Sequence, residues 1–288
     1  MWTAGPDRDS PEAPTVVLLH GWPQTWFMWR AIIPGLARRF RVIAPDLRGL
    51  GDSSRPVGGY DKKTLANDIW RPARTTLGAS RLLVAAHDWG GPVAFALAAQ
   101  HREAVRGLAI FDVPVPGDGT PVMFANRWHH GLHWELDFPE ALVFGREELH
   151  LGFFYRNWGG RPDAISAEAQ REYLRTYRLP GAMRAGFNLY RTTPQDVADN
   201  EAFLREGGKL TMPVLALLVR LAAAEAWLRS SHGDELPTTS AAVSLKIAAI
   251  GFRRSVRNGC WSNCWPSAAR AEFLSVHHNF EMAVRSSV

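Results

Sequence analysis

Between Thr15 and Phe111 the chain alternates short apolar runs with longer stretches of helical period. Thr15–Leu19, Arg41–Ala44, Leu82–Ala86 and Leu108–Phe111 are the short runs, built largely from Val, Leu, Ile and Ala. A strand buried on both faces shows no in–out alternation, so these runs predict strands of a parallel sheet with both faces covered. Between them, Trp26–Arg38 places Trp, Ile and Leu at helical spacing, Thr64–Leu77 predicts a second helix and the Ala-rich Gly91–Gln100 a third. The Gly-rich stretch from Asp46 to Gly51 predicts a loop. Strands alternating with helices define the α/β class.

The rhythm changes after the fourth apolar run. From about Pro121 to Gly207 the chain is rich in Trp, His, Phe, Tyr and Arg, keeps a helical period and offers no strand. Strand character returns at Met212–Leu217. The expected organisation is therefore a first core part over 1–118, a helical insertion over 119–207, a last core strand over 208–217 and an aberrant tail over 218–288.

At 288 residues, 46% hydrophobic and 21% charged, the chain has enough apolar material for one large α/β core with an insertion. The formal charge of +5 does not point to a nucleic-acid partner, because from Leu215 onward eight Lys/Arg face five Asp/Glu, and no basic stripe with interleaved aromatics is present. No apolar run is long enough to span a bilayer, and the start lacks the layout of a secretory signal, so a cytoplasmic protein without a membrane partner is expected. Cys260 and Cys264 both fall in the tail and have no partner at metal-ligand spacing; no metal and no organic cofactor are expected.

The sharpest motif is Ala85-Ala-His-Asp88-Trp-Gly-Gly91, between an apolar run and an Ala-rich helix. A strand running straight into a helix needs a tight turn flanked by small residues, here Ala86 and Gly90. This is the nucleophile-elbow pattern with aspartate at the apex. The apex side chain stands at the carboxyl end of the sheet and faces a helix N-terminus, which favours an anion. Taken alone, the same aspartate could serve as an ordinary N-cap. Two further motifs bear on the choice: His20-Gly-Trp-Pro23 directly after the first strand, and Asp46-Leu-Arg-Gly-Leu-Gly-Asp-Ser53 after the next.

In order and spacing, His20-Gly-Trp-Pro23, Trp29-Arg30, Pro45-Asp-x-Arg-Gly-x-Gly-x-Ser53 and His87-Asp-Trp-Gly-Gly91 resemble the epoxide hydrolases, over about Thr15 to Leu217. The resemblance implies an α/β-hydrolase fold with a helical cap, and a small epoxide or halogenated molecule as substrate. It implies Asp88 as nucleophile and the backbone amides of Trp22 and Trp89 as an oxyanion hole. Asp112 matches the position from which related fluoroacetate dehalogenases orient their histidine, although a turn-forming Asp before prolines would look the same. Phe187-Asn-Leu-Tyr190-Arg191 is similar to the segment holding an epoxide-activating tyrosine; a phenol with pKa near 10 can give a proton to a ring oxygen at neutral pH. His130, His133 and Trp134 could line the pocket or simply pack a cap helix. Trp89 and Pro92 stand where fluoroacetate dehalogenases carry arginines, and Trp22 where haloalkane dehalogenases usually carry asparagine, so an epoxide is favoured. Cleavage of a carbon–halogen bond is the enzymatic alternative, and a non-catalytic remnant is the other.

The resemblance breaks near the C-terminus. The family pattern there is Gly-His-Trp followed by Pro-Glu-Glu and a helix, whereas this chain reads Ala248 to Pro266 without periodicity or motif. No catalytic histidine is identifiable: His277 and His278 lie too near the end for a following helix. Codons chosen for Ile250 to Trp261 can, one base out of frame, encode His-Trp-Ile-Pro-Glu-Glu-Arg-Pro-Glu-Trp-Leu-Leu, the missing motif with its helix. The expectation is a frameshift near Ala216 to Arg220, which would also account for the basic tail and both cysteines. The nucleotide sequence decides it.

Overall fold

The computed structural model describes residues 2–5, 14–117, 128–158 and 163–217. Among the described residues six strands form one sheet: β1 (Trp2–Ala4), β2 (Thr15–Leu19), β3 (Arg41–Ala44), β4 (Leu82–His87), β5 (Val105–Phe111) and β6 (Val214–Leu217). Their order is β1-β3-β2-β4-β5-β6. All neighbours are parallel except β1, which runs antiparallel to β3 along one edge. That edge strand was not foreseen, because three residues are too few to show a period.

The unalternating apolar runs are explained by two cores. Val17, Leu19, Val84, Ala86, Leu108 and Ile110 face one side, where α2 (Lys62–Thr75) and α3 (Gly90–Gln100) pack. Val16, Leu18, Val42, Ala44, Ala85 and Ala109 face the other, against Trp29, Ile33, Leu36 and Phe40. The helix expected over Trp26–Arg38 is instead a 3-10 turn at Trp26–Trp29 followed by the one-turn helix α1 (Ile33–Leu36). Pro34 explains the break: it has no N–H to give and sits where a helix begins, not where one continues. By contrast α2 starts two residues before the sequence suggests, because the Asp61 side chain accepts the Thr64 amide at 2.8 Å and caps the helix there.

Between β5 and β6 the described chain is helical: α4 (Trp128–Trp134), α5 (Phe138–Val143), α6 (Glu147–Asn157), α7 (Ala167–Tyr177), α8 (Ala182–Arg191) and α9 (Thr193–Gly207). This is an inserted cap. Its Phe154, Tyr173, Phe187 and Tyr190 join Trp22 and Trp89 of the core in one continuous apolar cluster. The sheet register places the site: Leu19 pairs with Ala86 and His87 with Phe111, so the loops leaving β2, β4 and β5 start side by side.

Candidate active site

The turn from β4 into α3 leaves Asp88 at φ +50°, in the left-handed region that non-glycine residues rarely occupy. Its amide donates to the carbonyl of Phe111 at 3.1 Å, and its own carbonyl accepts Gly91 N–H at 2.7 Å. A turn this tight needs glycine beside it: a Cβ on Gly90 would lie 2.6 Å from the carbonyl oxygens of both Leu19 and His20. The Asp88 side chain therefore emerges at the junction of β2, β4 and β5, partly buried.

The His20-Gly-Trp-Pro loop meets it there. The amide of Trp22 donates to Asp88 Oδ1 at 2.9 Å. A Cβ on Gly21 would lie 2.4 Å from Asp88 Cβ and Oδ1, so only glycine admits this approach. His20, fully buried, and the Gln24 amide, which donates to the Gly21 carbonyl at 3.0 Å, together set the direction of that amide. Nε2 of His20 accepts the Leu47 amide at 3.0 Å, and its Nδ1 lies 3.0 Å from the carbonyl oxygen of Gly21. An amide only donates and a carbonyl only accepts, so the ring is neutral with its proton on Nδ1. Burial, partly offset by the Asp46 carboxylate, lowers its pKa in agreement. The Gly21 carbonyl and the Trp22 N–H belong to one planar peptide and point oppositely. Holding the first turns the second toward Asp88.

The Asp46 loop supports this arrangement from below. Asp46 accepts the amides of Trp26 at 2.9 Å and Asp52 at 3.1 Å, and Ser53 Oγ donates to its carbonyl at 2.7 Å. Arg48 forms a bidentate pair with Asp68 on α2, at 2.6 and 2.7 Å. The motif thus anchors the loop to the sheet and to the helix behind it.

Asp112, at φ +60°, follows β5 on the same side, and its Oδ2 lies 3.7 Å from Nε2 of His87. Burial alone would lower the pKa of His87, but the carboxylates of Asp112 and Asp88 outweigh it and hold the pKa above the ordinary value. This pairing has no local signature along the chain.

Above Asp88 the cap supplies an aromatic wall. Tyr190, buried on α8, stands edge-on to Trp89 at 4.8 Å and to Trp22 at 5.7 Å between ring centroids. His130 and His133 meet its ring at 4.9 and 4.7 Å, and His133 also stacks on Phe187 at 4.4 Å. Nε2 of His133 lies 3.1 Å from Nε2 of His150, a contact in which one ring donates and the other accepts. Burial, followed by the neighbouring histidines and Arg191, pushes the pKa of His133 far down, and burial lowers that of His150 to about 4. Trp134 stands apart. It is 44% exposed, and its carbonyl accepts Arg191 Nε at 3.4 Å on the outer side.

Sequence reasoning missed Lys62, which is buried at the start of α2 and ion-paired with Asp196 at 2.7 Å. Burial pulls the Lys62 pKa down and that of Asp196 up, each opposed by the other's charge. No sequence signal separates it from its neighbour Lys63, whose side chain is 49% exposed. The tail expected to replace the catalytic histidine segment, including His277 and His278, lies outside the described residues, as does the frame change expected near Ala216 to Arg220 apart from Ala216 and Leu217 in β6. Among the described residues no group of three or more His, Cys, Asp or Glu could hold a metal ion, and no helix is long and apolar enough to cross a membrane.

Residues 14–202 match the family model for the alpha/beta hydrolase fold. The soluble epoxide hydrolase of Corynebacterium sp. (strain C12) is 41% identical over 212 residues, which cover 70% of this chain and 72% of that protein. The fluoroacetate dehalogenase of Burkholderia sp. is 32% identical over 193 residues, 62% of each. The crystal structure of wild-type Cfl2 from Burkholderia cenocepacia superposes with a TM-score of 0.69 at 38% identity, covering 74% of this chain and 73% of that one. With a parallel sheet, a sharp turn after β4 and a helical insertion before β6, the chain belongs to the α/β-hydrolase fold family, as a homologue of the epoxide hydrolases and their dehalogenase relatives.

Proposed function

We propose that this chain is built to open an epoxide through an ester on Asp88, with residues 119–207 acting as a lid. The observation that carries the reading is the Asp88 carboxylate at φ +50° on a strand–helix turn, with Oδ1 already held by the Trp22 amide at 2.9 Å. With one oxygen fixed, the other attacks a ring carbon. The carbon–oxygen bond breaks, its electron pair stays on oxygen, and the Tyr190 phenol supplies the proton. The product is a hydroxyalkyl ester of Asp88. Its hydrolysis adds water at the ester carbon, and the resulting oxyanion falls to the amides of Trp22 and Trp89.

That second step needs a base oriented by Asp112, and the sequence provides no histidine motif for it. Loss of a general base reduces a rate by about 10²–10⁴-fold. The chain as translated therefore alkylates itself once and stalls. Intact-mass measurement after incubation with styrene oxide should show one stoichiometric adduct, absent in Asp88→Asn. Repeated turnover without an adduct would show that another group supplies the base, and no adduct under any condition would remove the ester reading. Carbon–halogen cleavage uses the same first step, and the histidines beside Tyr190 are suited to solvating a departing halide. Halide release from a haloacid or haloalkane, in preference to styrene oxide adduction, would select it.

A further inference from the structure

A buried ammonium group outside the proposed chemistry touches both halves of the site. Lys62 is 1% exposed, and its three N–H donors have three acceptors: the Leu189 carbonyl at 2.6 Å, Thr192 Oγ1 at 2.9 Å and Asp196 Oδ2 at 2.7 Å. All three acceptors belong to one corner of the cap, where α8 ends and α9 begins. The lysine belongs to the core helix α2. Asp196 closes the connection from its side, its Oδ1 accepting the Lys62 amide at 2.8 Å.

The contacts reach the reacting groups on either side. Leu189 immediately precedes Tyr190, so its carbonyl is fixed one residue from the proposed proton donor. The ammonium also lies 4.4 Å from the centre of the Trp89 ring, which follows Asp88 and meets the Tyr190 ring at 4.8 Å. A cation on an aromatic face is attracted by the ring's negative potential, and more strongly where water is excluded. Breaking a buried charge pair by removing one partner leaves an uncompensated charge, so the corner has little freedom to slide while both partners remain. Cap and core are thus registered at this point by a saturated charge pair, in addition to apolar packing that tolerates slippage.

We infer that Lys62 is a positioning residue that sets Tyr190 over the Asp88 turn, by tying the α8–α9 corner of the cap to α2 and to the Trp89 ring. This rests on the ester reading above, in which Tyr190 gives the proton. A misplacement of about 1 Å in a reacting group can reduce a rate by on the order of 10²-fold. Lys62→Met alone strands the Asp196 carboxylate, so the test pairs it with Asp196→Leu, which removes both charges together.

The experiment measures the rate of styrene oxide adduct formation on the full chain, by intact mass, against epoxide concentration. It compares the parent, Lys62→Met/Asp196→Leu, Tyr190→Phe and the combined triple variant. The paired change is expected to lower the saturated rate by about 10–100-fold with little change in the half-saturating concentration. In the Tyr190→Phe background it should have less than about a threefold further effect, since there is no proton donor left to misplace. Amide exchange in α8 should quicken in the paired variant while melting stays cooperative. An unchanged saturated rate, or an equal loss in both backgrounds, would overturn the inference and leave Lys62 as a stabilising pair only. A parent chain that forms no adduct would overturn the ester reading itself, an outcome told apart because it appears before any variant is compared.

Discussion

Replacing His20 by Phe should disturb both folding and the geometry at Asp88, and the two effects can be separated. The ring is fully buried, so Phe fills its space while removing both ring nitrogens. The Leu47 amide, bonded at 3.0 Å, loses its partner, while the Gly21 carbonyl loses the ring contact at 3.0 Å and keeps the Gln24 amide, also at 3.0 Å. A buried polar group left unsatisfied costs about 1–3 kcal/mol, and the Leu47 amide is one such group, so the substitution should destabilise by about that much. Against a typical total of about 5–15 kcal/mol this is a large fraction, readable as a lower urea midpoint by tryptophan fluorescence. The Gly21 carbonyl shares its peptide plane with the Trp22 amide that holds Asp88 Oδ1, so losing one of its two contacts loosens the aim of that amide on the carboxylate. Adduct formation should fall about 10-fold or more, as for other displaced reacting groups. His20→Asn gives the separation: its side-chain amide can still donate to the Gly21 carbonyl but does not reach Leu47. It should lose about 1–3 kcal/mol of stability and keep adduct formation within about threefold of the parent. If His20→Phe loses stability but alkylates at the parent rate, the imidazole does not aim the Trp22 amide and the reasoning fails.

Gly21→Ala places a methyl 2.4 Å from Asp88 Cβ and Oδ1, so adduct formation should disappear in mass spectra while overpacking lowers stability by about 1–3 kcal/mol. Acidification should destabilise through the cap histidines. The folded-state pKa of His150 is lowered to about 4 by burial, below its unfolded value near 6.5, so the unfolded chain binds the extra proton between those values and stability drops as pH falls through them. The contribution is on the order of 1–3 kcal/mol, and His150→Gln should flatten the difference in melting temperature between pH 7 and pH 4.5; an identical slope in the variant would exclude it. Asp112→Asn removes a carboxylate that holds the His87 pKa up, so NMR titration of the His87 ring should show a lower pKa, and no movement would place the cause elsewhere.

The local features of this protein are legible along the chain alone. Unalternating apolar runs forecast buried parallel strands because burial on both faces leaves no period to see, and β2, β3, β4 and β5 lie where those runs are. The elbow and the His20-Gly-Trp-Pro loop were legible because close backbone approach admits few residues, and glycine at positions 21 and 90 records that constraint directly. The cap was legible as a change of rhythm. Which side chains meet across long separations emerges only when the elements pack. Lys62 and Asp196 are 134 positions apart, and neither carries a local signature of burial. His87 reads as part of a turn until β4 and β5 align and bring Asp112 to its ring. His133 and Trp134 are adjacent in sequence, yet the first lies inside the aromatic wall and the second at the surface. Local sequence restricts backbone conformation over a few residues; the partner of a buried charge or ring is chosen by packing of distant elements, which no single stretch of chain encodes.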